Sequence, residues 1–185
     1  MNAGQDLGAL VVYESFFGNT ESIARAIASG LRLEDVAAEA VDVGDLHDVD
    51  LDAYDLLVVG GPTHAFALSR PQTRRDAVAR GGDGAYTTRG LREWLSAIPV
   101  RSGTHLAAAF DTRVSKVRHL PASAGRSAAH MLRQRGFVLV DRPSGFLVQD
   151  VEGPLELRQM ERAIAWGRSL AREAQARLAT VEICR

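Results

Sequence analysis

Cysteine is almost absent. Cys184, next to last of 185 residues, is the only one, so no disulfide can close within the chain and a reducing compartment suits it. No stretch approaches the roughly 20 apolar residues that a membrane-spanning helix needs. The opening MNAGQDLGAL has neither the basic start nor the apolar core of an export signal, which sets the expectation of a cytoplasmic protein. Net charge is nearly absent too. With 22 Lys and Arg against 23 Asp and Glu the formal charge is -1, a balance that gives no reason to expect a nucleic-acid or membrane partner. No repeat, low-complexity tract or linker divides the chain. What remains is 46% hydrophobic and 24% charged, the composition of a soluble globular protein. A chain of this length buries about 70% of its unfolded surface, so one domain over residues 1–185 is expected, with no covalent staple.

Along that domain, apolar strand-like runs occupy 8–13, 36–43, 55–61, 104–110 and 136–140, with a further piece at 145–148. Helix-period segments lie between most of them. Ile23, Ile27 and Leu31, widened by Ala24 and Ala28, mark the first helix. Ser69 with Gln72 reads as a capping box opening the second, which Gly81 and Gly82 stop. Leu91, Leu95 and Ile98 mark a third, and Ala124, Ala128 and Leu132 a fourth. The last opens at Gly153 and Pro154 and carries Met160, Ile164, Gly167, Ala171, Ala174 and Leu178 on one face. The GDLHDVDLDAY segment between the second and third strands is too polar for a full helix, and RGGDGAYTTRG at 80–90 reads as an exposed loop. Continuous apolar strands joined by helices predict an α/β fold, a doubly wound five-stranded parallel sheet covered on both faces.

Such sheets bind ligands past the carboxyl ends of their strands. Three loops leave those ends with suitable chemistry. SFFGNT after the first strand offers Ser15, Asn19, Thr20 and the backbone N–H groups around Gly18 to an anion, with the positive end of a helix behind them. One glycine suits a terminal phosphate better than a pyrophosphate, for which dinucleotide and P-loop motifs need several. Glu21, in the helix's first turn, favours the helix but not the phosphate. GGPTHAFALSR (60–70) lets backbone approach a ligand at its glycines, stiffens at Pro62 and presents the flat faces of His64 and Phe66. FDTRVSKVRHLPASAGRS (110–127) is long and polar. Together these loops describe a site for a flat ring with a phosphate tail.

Over nearly its whole length the chain resembles the flavodoxins. SFFGNT is similar to that family's FMN phosphate loop, GGPTHAF to its second flavin loop, and 110–127 to the loop closing on the ring's other side. The resemblance implies strand order 2-1-3-4-5 and non-covalent FMN. Ser15, Asn19 and Thr20 would hold the phosphate; Pro62, Thr63, His64, Ala65 and Phe66 would line one side of the isoalloxazine; Asp111, Thr112 and Arg113 would approach its pyrimidine edge. Phe17 stands where many members carry a hydroxyl, and the third loop lacks the Tyr that often stacks on the ring, which leaves His119 or Leu120 for that place. The chain is also less acidic than most electron-transfer members. The resemblance implies an electron-transfer flavoprotein, an oxidoreductase whose flavin does the chemistry, rather than a stand-alone enzyme. No metal is implied, and neither Ser15 nor Cys184 has a base partner that would make it a nucleophile. An NAD(P)H-dependent quinone or flavin reductase and a module that has lost FMN are the alternatives. The expected partner is a redox protein, drawn by an acidic surface to Arg and Lys in the second and third loops.

Overall fold

The computed structural model describes residues 7–46, 49–84, 89–101 and 104–183. His47 and Asp48 of the polar connection, 85–88 of the Gly-rich loop, the first six residues and Cys184 lie outside them. In chain order the elements are β1 (Gly8–Tyr13), α1 (Asn19–Arg32), β2 (Ala37–Asp42), β3 (Leu56–Pro62), α2 (Pro71–Ala79), α3 (Leu91–Ala97), β4 (Leu106–Val114), α4 (Ala124–Gln134), β5 (Val138–Leu139), β6 (Ser144–Val148) and α5 (Gln159–Ile183). All strand pairs are parallel in the order β2-β1-β3-β4-β5, with β6 also beside β4.

Strand side chains alternate between two cores, as a pleated sheet buried on both faces requires. Ala9, Val11, Val58, Ala108 and Phe110 meet Ile23, Ile27 and Leu31 of α1 and Ala163, Leu170, Ala171 and Ala174 of α5. Leu10, Val12, Leu57, Val59, Ala107 and Ala109 meet Leu91 and Leu95 of α3, Ile98 just after it, and Leu132 of α4. The predicted α1 stripe is fully buried. Between β2 and β3 the described residues form a single 3₁₀ turn, Leu51–Ala53, as the polarity of that segment predicts.

Four expectations are corrected. The pieces predicted at 136–140 and 145–148 are two lengths of one outer edge: Leu106 pairs with Val138 and Phe110 with Ser144, so the outer chain advances six residues while β4 advances four. The excess bulges out at 140–143. β4 runs on to Val114, four residues beyond the predicted end, so Asp111, Thr112 and Arg113 are strand rather than loop. α2 starts at Pro71 rather than from a Ser69 cap. Arg70 is extended (φ -130, ψ 161), as a residue before proline must be, and its N–H donates to Thr73 Oγ1 at 2.9 Å, the bond expected of Gln72. α5 starts at Gln159 rather than Pro154, because 154–156 pair with β6: Gln149 N–H donates to Pro154 O and Glu156 N–H to Leu147 O, both at 2.9 Å. Met160, the second residue of α5, is consequently exposed and off the buried face.

Candidate functional site

A cavity of about 250 Å³ opens past the carboxyl ends of β1, β3 and β4. One wall is built by the turn between β1 and α1. Gly18 takes a left-handed φ of 77, a conformation that costs glycine little, and starts α1 without a capping side chain. The first N–H groups of α1, which have no partner within a helix, therefore stay available to a ligand. Ser15 is 7% exposed and lines the cavity, and its Oγ is buried without a hydrogen-bond partner. A buried hydroxyl left unsatisfied is unfavourable by roughly 1–3 kcal/mol, so a ligand oxygen accepting from it would relieve that cost. Thr20, 2% exposed, shares a 2.8 Å hydrogen bond between its Oγ1 and Thr112 Oγ1, which ties the first turn of α1 to β4. Asn19 lines the cavity but donates to Glu152 O at 3.0 Å, joining this wall to the loop after β6, whose Val151 also lines it.

The opposite wall is the turn after β3. His64 and Ala67 exchange backbone hydrogen bonds at 2.9 and 3.0 Å, closing a tight turn with Ala65 and Phe66 at left-handed φ values of 45 and 67. For a bulky residue such as Phe66 that conformation is strained, and strain of this kind persists where the surroundings impose it. Pro62, Thr63, His64 and Ala65 line the cavity; Phe66 is 49% exposed at the tip and does not. Thr63 fixes the turn at both ends, its N–H donating to Thr112 O at 2.8 Å and its Oγ1 accepting Ala124 N–H at 3.0 Å from α4. Burial, then the charge of Arg74, holds His64 below its usual pKa, so it is neutral at physiological pH. Its ring lies 5.2 Å from that of Phe16, tilted by 59°.

The third group divides. Thr112 and Arg113 line the cavity, but Asp111 is fully buried behind it. Its carboxylate accepts from Arg113 Nε at 2.6 Å, from the other end of that guanidinium at 2.8 Å and from Gly125 N–H at 3.0 Å, a bidentate pair with little left to offer a ligand. His119 and Leu120 are exposed and outside the lining. Phe17 lines the cavity half-buried.

Sequence reasoning missed a whole flank. Phe16, the α2 residues Thr73, Asp76 and Ala77, Arg80 just after that helix, and Val148 also line the cavity. Gly81 and Gly82, read only as a helix stop, were the available signal for this flank. A Cβ on Gly82 would lie 3.1 Å from Phe16 Cβ and 3.2 Å from Phe17 Cζ, so the end of α2 packs directly on the turn between β1 and α1.

The flavodoxin family model matches residues 11–68, which carry two of the three loops. No curated protein matches the chain in sequence. Among solved structures, the oxidised flavodoxin 2 from Bacillus cereus is similar over 90% of this chain and 99% of its own, at 21% identity and a TM-score of 0.65. The WrbA-like flavodoxin from Agrobacterium tumefaciens covers 92% and 99% at 21% identity and 0.59. The flavodiiron protein from Giardia intestinalis covers 96% of this chain but only 39% of that larger one, at 18% identity and 0.62. The family's sequence over residues 11–68 and the order of the sheet mark the flavodoxin-like fold in this chain.

Proposed function

We propose that the protein binds FMN non-covalently in this cavity and serves as an electron carrier. The orphaned Ser15 hydroxyl carries the reading: a buried donor with no protein partner, beside the uncapped N-terminus of α1, fits a phosphate ester. Bound there, FMN would supply the redox chemistry, and the protein's part is to anchor, orient and desolvate it. Ser15 and the first N–H groups of α1 hold the phosphate, with the paired hydroxyls of Thr20 and Thr112 beside them. The Pro62–Ala65 turn flanks the ring, and neutral His64 keeps a second positive charge out of that wall. Two of the cations that would favour a nicotinamide-phosphate site are engaged within the protein: Arg74 is fully buried against Glu93 at 3.0 Å, and Arg113 clasps Asp111. That supports a carrier over a reductase. Arg70, Arg75, Lys116 and Arg118 remain exposed, a charge pattern suited to an acidic redox partner.

Ser15→Ala tests the anchor. Its hydroxyl bonds nothing in the protein, so the variant should fold as stably as wild type. It should lose about 1.5–3 kcal/mol of FMN binding, the worth of a hydrogen bond to a charged group. Riboflavin, which has no phosphate, should bind both proteins alike. Equal loss of both ligands in a fluorescence titration would show that Ser15 serves something other than a phosphate.

Phe66→Ala addresses the ring. If the strained turn holds Phe66 to cover one flavin face, truncation should weaken FMN by about 0.5–1.5 kcal/mol and brighten the fluorescence of the flavin still bound. Unchanged affinity and brightness would assign Phe66 to the turn alone.

A further inference from the structure

The anion wall has a charge deficit. From Tyr13 to Ser22 the charged residues are Glu14 and Glu21, both acidic. Glu21 is ion-paired with Arg25 at 2.8 Å. Among the described residues three charged ones line the cavity, Asp76, Arg80 and Arg113. Arg113 is held bidentately by Asp111, and Asp76 accepts the Gln72 amide at 3.1 Å. Among the described residues no carboxylate pairs with Arg80. It is the exposed cation at the cavity rim.

Its position is fixed by the packing that brings α2 to the loop. Arg80, Gly81 and Gly82 close the helix with N–H bonds to Ala77 O, Val78 O and Ala77 O at 3.1, 2.9 and 3.0 Å. Asp83 N–H then donates to Phe16 O at 2.9 Å, which stitches the end of α2 to the residue beside Ser15. With glycine at 82 the two backbones meet without a side chain between them. The guanidinium of Arg80 is thus presented on the same cavity as the Ser15 hydroxyl, from a different element.

We propose that Arg80 is the charge partner of the ligand's phosphate and the residue that selects the phosphorylated flavin over its neutral, unphosphorylated form. This rests on the FMN reading above. Hydroxyls and backbone N–H groups bind an oxyanion by geometry, but they do not neutralise a dianion. Among the described residues, the one carboxylate in the lining, Asp76 of α2, works against one. A guanidinium offers a fork of donors and a charge that persists at every working pH.

The experiment compares FMN and riboflavin binding to flavin-free wild type, Arg80→Gln and Arg80→Lys, at low and high salt. Arg80→Gln should lower FMN affinity roughly three- to tenfold at low ionic strength, with riboflavin unchanged, because exposed charge interactions are worth about 1 kcal/mol and screen readily. Arg80→Lys should restore most of the loss, and the salt dependence of FMN binding should flatten in Arg80→Gln alone. If wild type prefers FMN and Arg80→Gln keeps that preference, Arg80 is not the charge partner while the FMN reading stands. Equal weakening of both ligands would also overturn the proposal, placing Arg80 against the ring or in the fold. A wild type that does not distinguish FMN from riboflavin would overturn both readings.

Discussion

Gly167→Val is expected to destabilise the protein by about 3 kcal/mol or more and to distort the cavity in the protein that stays folded. α1 and α5 cross at two glycines. A Cβ on Gly167 would run into the Ile27 carbonyl oxygen and lie 3.1 Å from Gly30 Cα, and a Cβ on Gly30 would meet the Ile164 carbonyl and lie 3.0 Å from Gly167 Cα. Backbone has no rotamer with which to yield, so the helices must separate along a contact that also buries Ile23, Ile27, Ala171 and Ala174. Overpacking of a dense core costs about 1–3 kcal/mol, and a β-branched residue meeting backbone belongs at or above the top of that range. That is a large share of a typical stability of about 5–15 kcal/mol. The distortion follows from connectivity: α1 begins at Asn19, so displacing it moves Asn19 and Thr20 away from Ser15 and Thr112. Ala176→Val, on the exposed face of α5, is the control and should shift the urea midpoint little. A Gly167→Val protein that melts with wild type would mean that the two helices do not depend on this close crossing.

The same pair of glycines shows how far the sequence could be read. Periodicity put Gly167 on the buried face of the last helix, where it is, because burial on a helix face repeats locally. It could not show that Gly167 meets Gly30, 137 positions earlier, because that contact depends on two helices crossing. The strands and the loops that leave them were legible for the former reason, since apolar runs and their polar ends are local signals. The strand order came only from the resemblance to flavodoxins. Errors arose where a distant partner satisfied a residue. Asp111 read as a loop acid, but two bonds from Arg113 and one from Gly125 satisfy its carboxylate and let β4 continue through it. Pro154 read as a helix start, but β6 claims its segment as an edge partner. At α2 the deciding signal was local and was outweighed: Pro71 forbids a helical Arg70, so the Ser69 cap was excluded from the start. The flank of the cavity formed by Asp76 and Arg80 was signalled only by Gly81 and Gly82, since no pattern within α2 itself says that its end packs on the Phe16–Phe17 turn.

Arg74→Met should be the second most damaging change, destabilising the protein by about 1–3 kcal/mol, the cost of removing a buried guanidinium from its hydrogen-bond partners, while Glu93, 34% exposed, is partly rescued by water. Arg74 is fully buried, its guanidinium bonding Ser69 Oγ at 3.2 Å and Glu93 Oε2 at 3.0 Å. Glu14, 1% exposed, accepts Leu91 N–H at 2.6 Å on one oxygen, while its other oxygen is buried without a partner. A Cβ on Gly90 would lie 2.5 Å from Glu14 Oε2 and 2.9 Å from Arg74 NH1, so carboxylate and guanidinium crowd the same glycine at the start of α3. Burial pushes the Glu14 carboxyl above its usual value, against the opposing bonds from Ser69 and Leu91 and the charge of Arg74. Glu93 is also raised by burial, but the bonds from Arg74 and the Gly90 N–H outweigh this and hold it low. The signs separate the two acids. The folded state keeps a proton on Glu14 that the unfolded chain has released, so its contribution falls as pH rises from the unfolded value of 4.5 to the raised folded one. Glu93 contributes stability above the unfolded value, and that is lost as pH falls through its lowered folded pKa. Glu14→Gln should therefore flatten the stability profile on the neutral side, leave the acid side alone, and recover part of the Arg74→Met loss, more at pH ~8 than at ~5. Urea unfolding of the two single variants and the double variant across that range measures this. Additive losses with parallel pH profiles would show that Glu14 does not feel Arg74 and that its proton is not held by the fold.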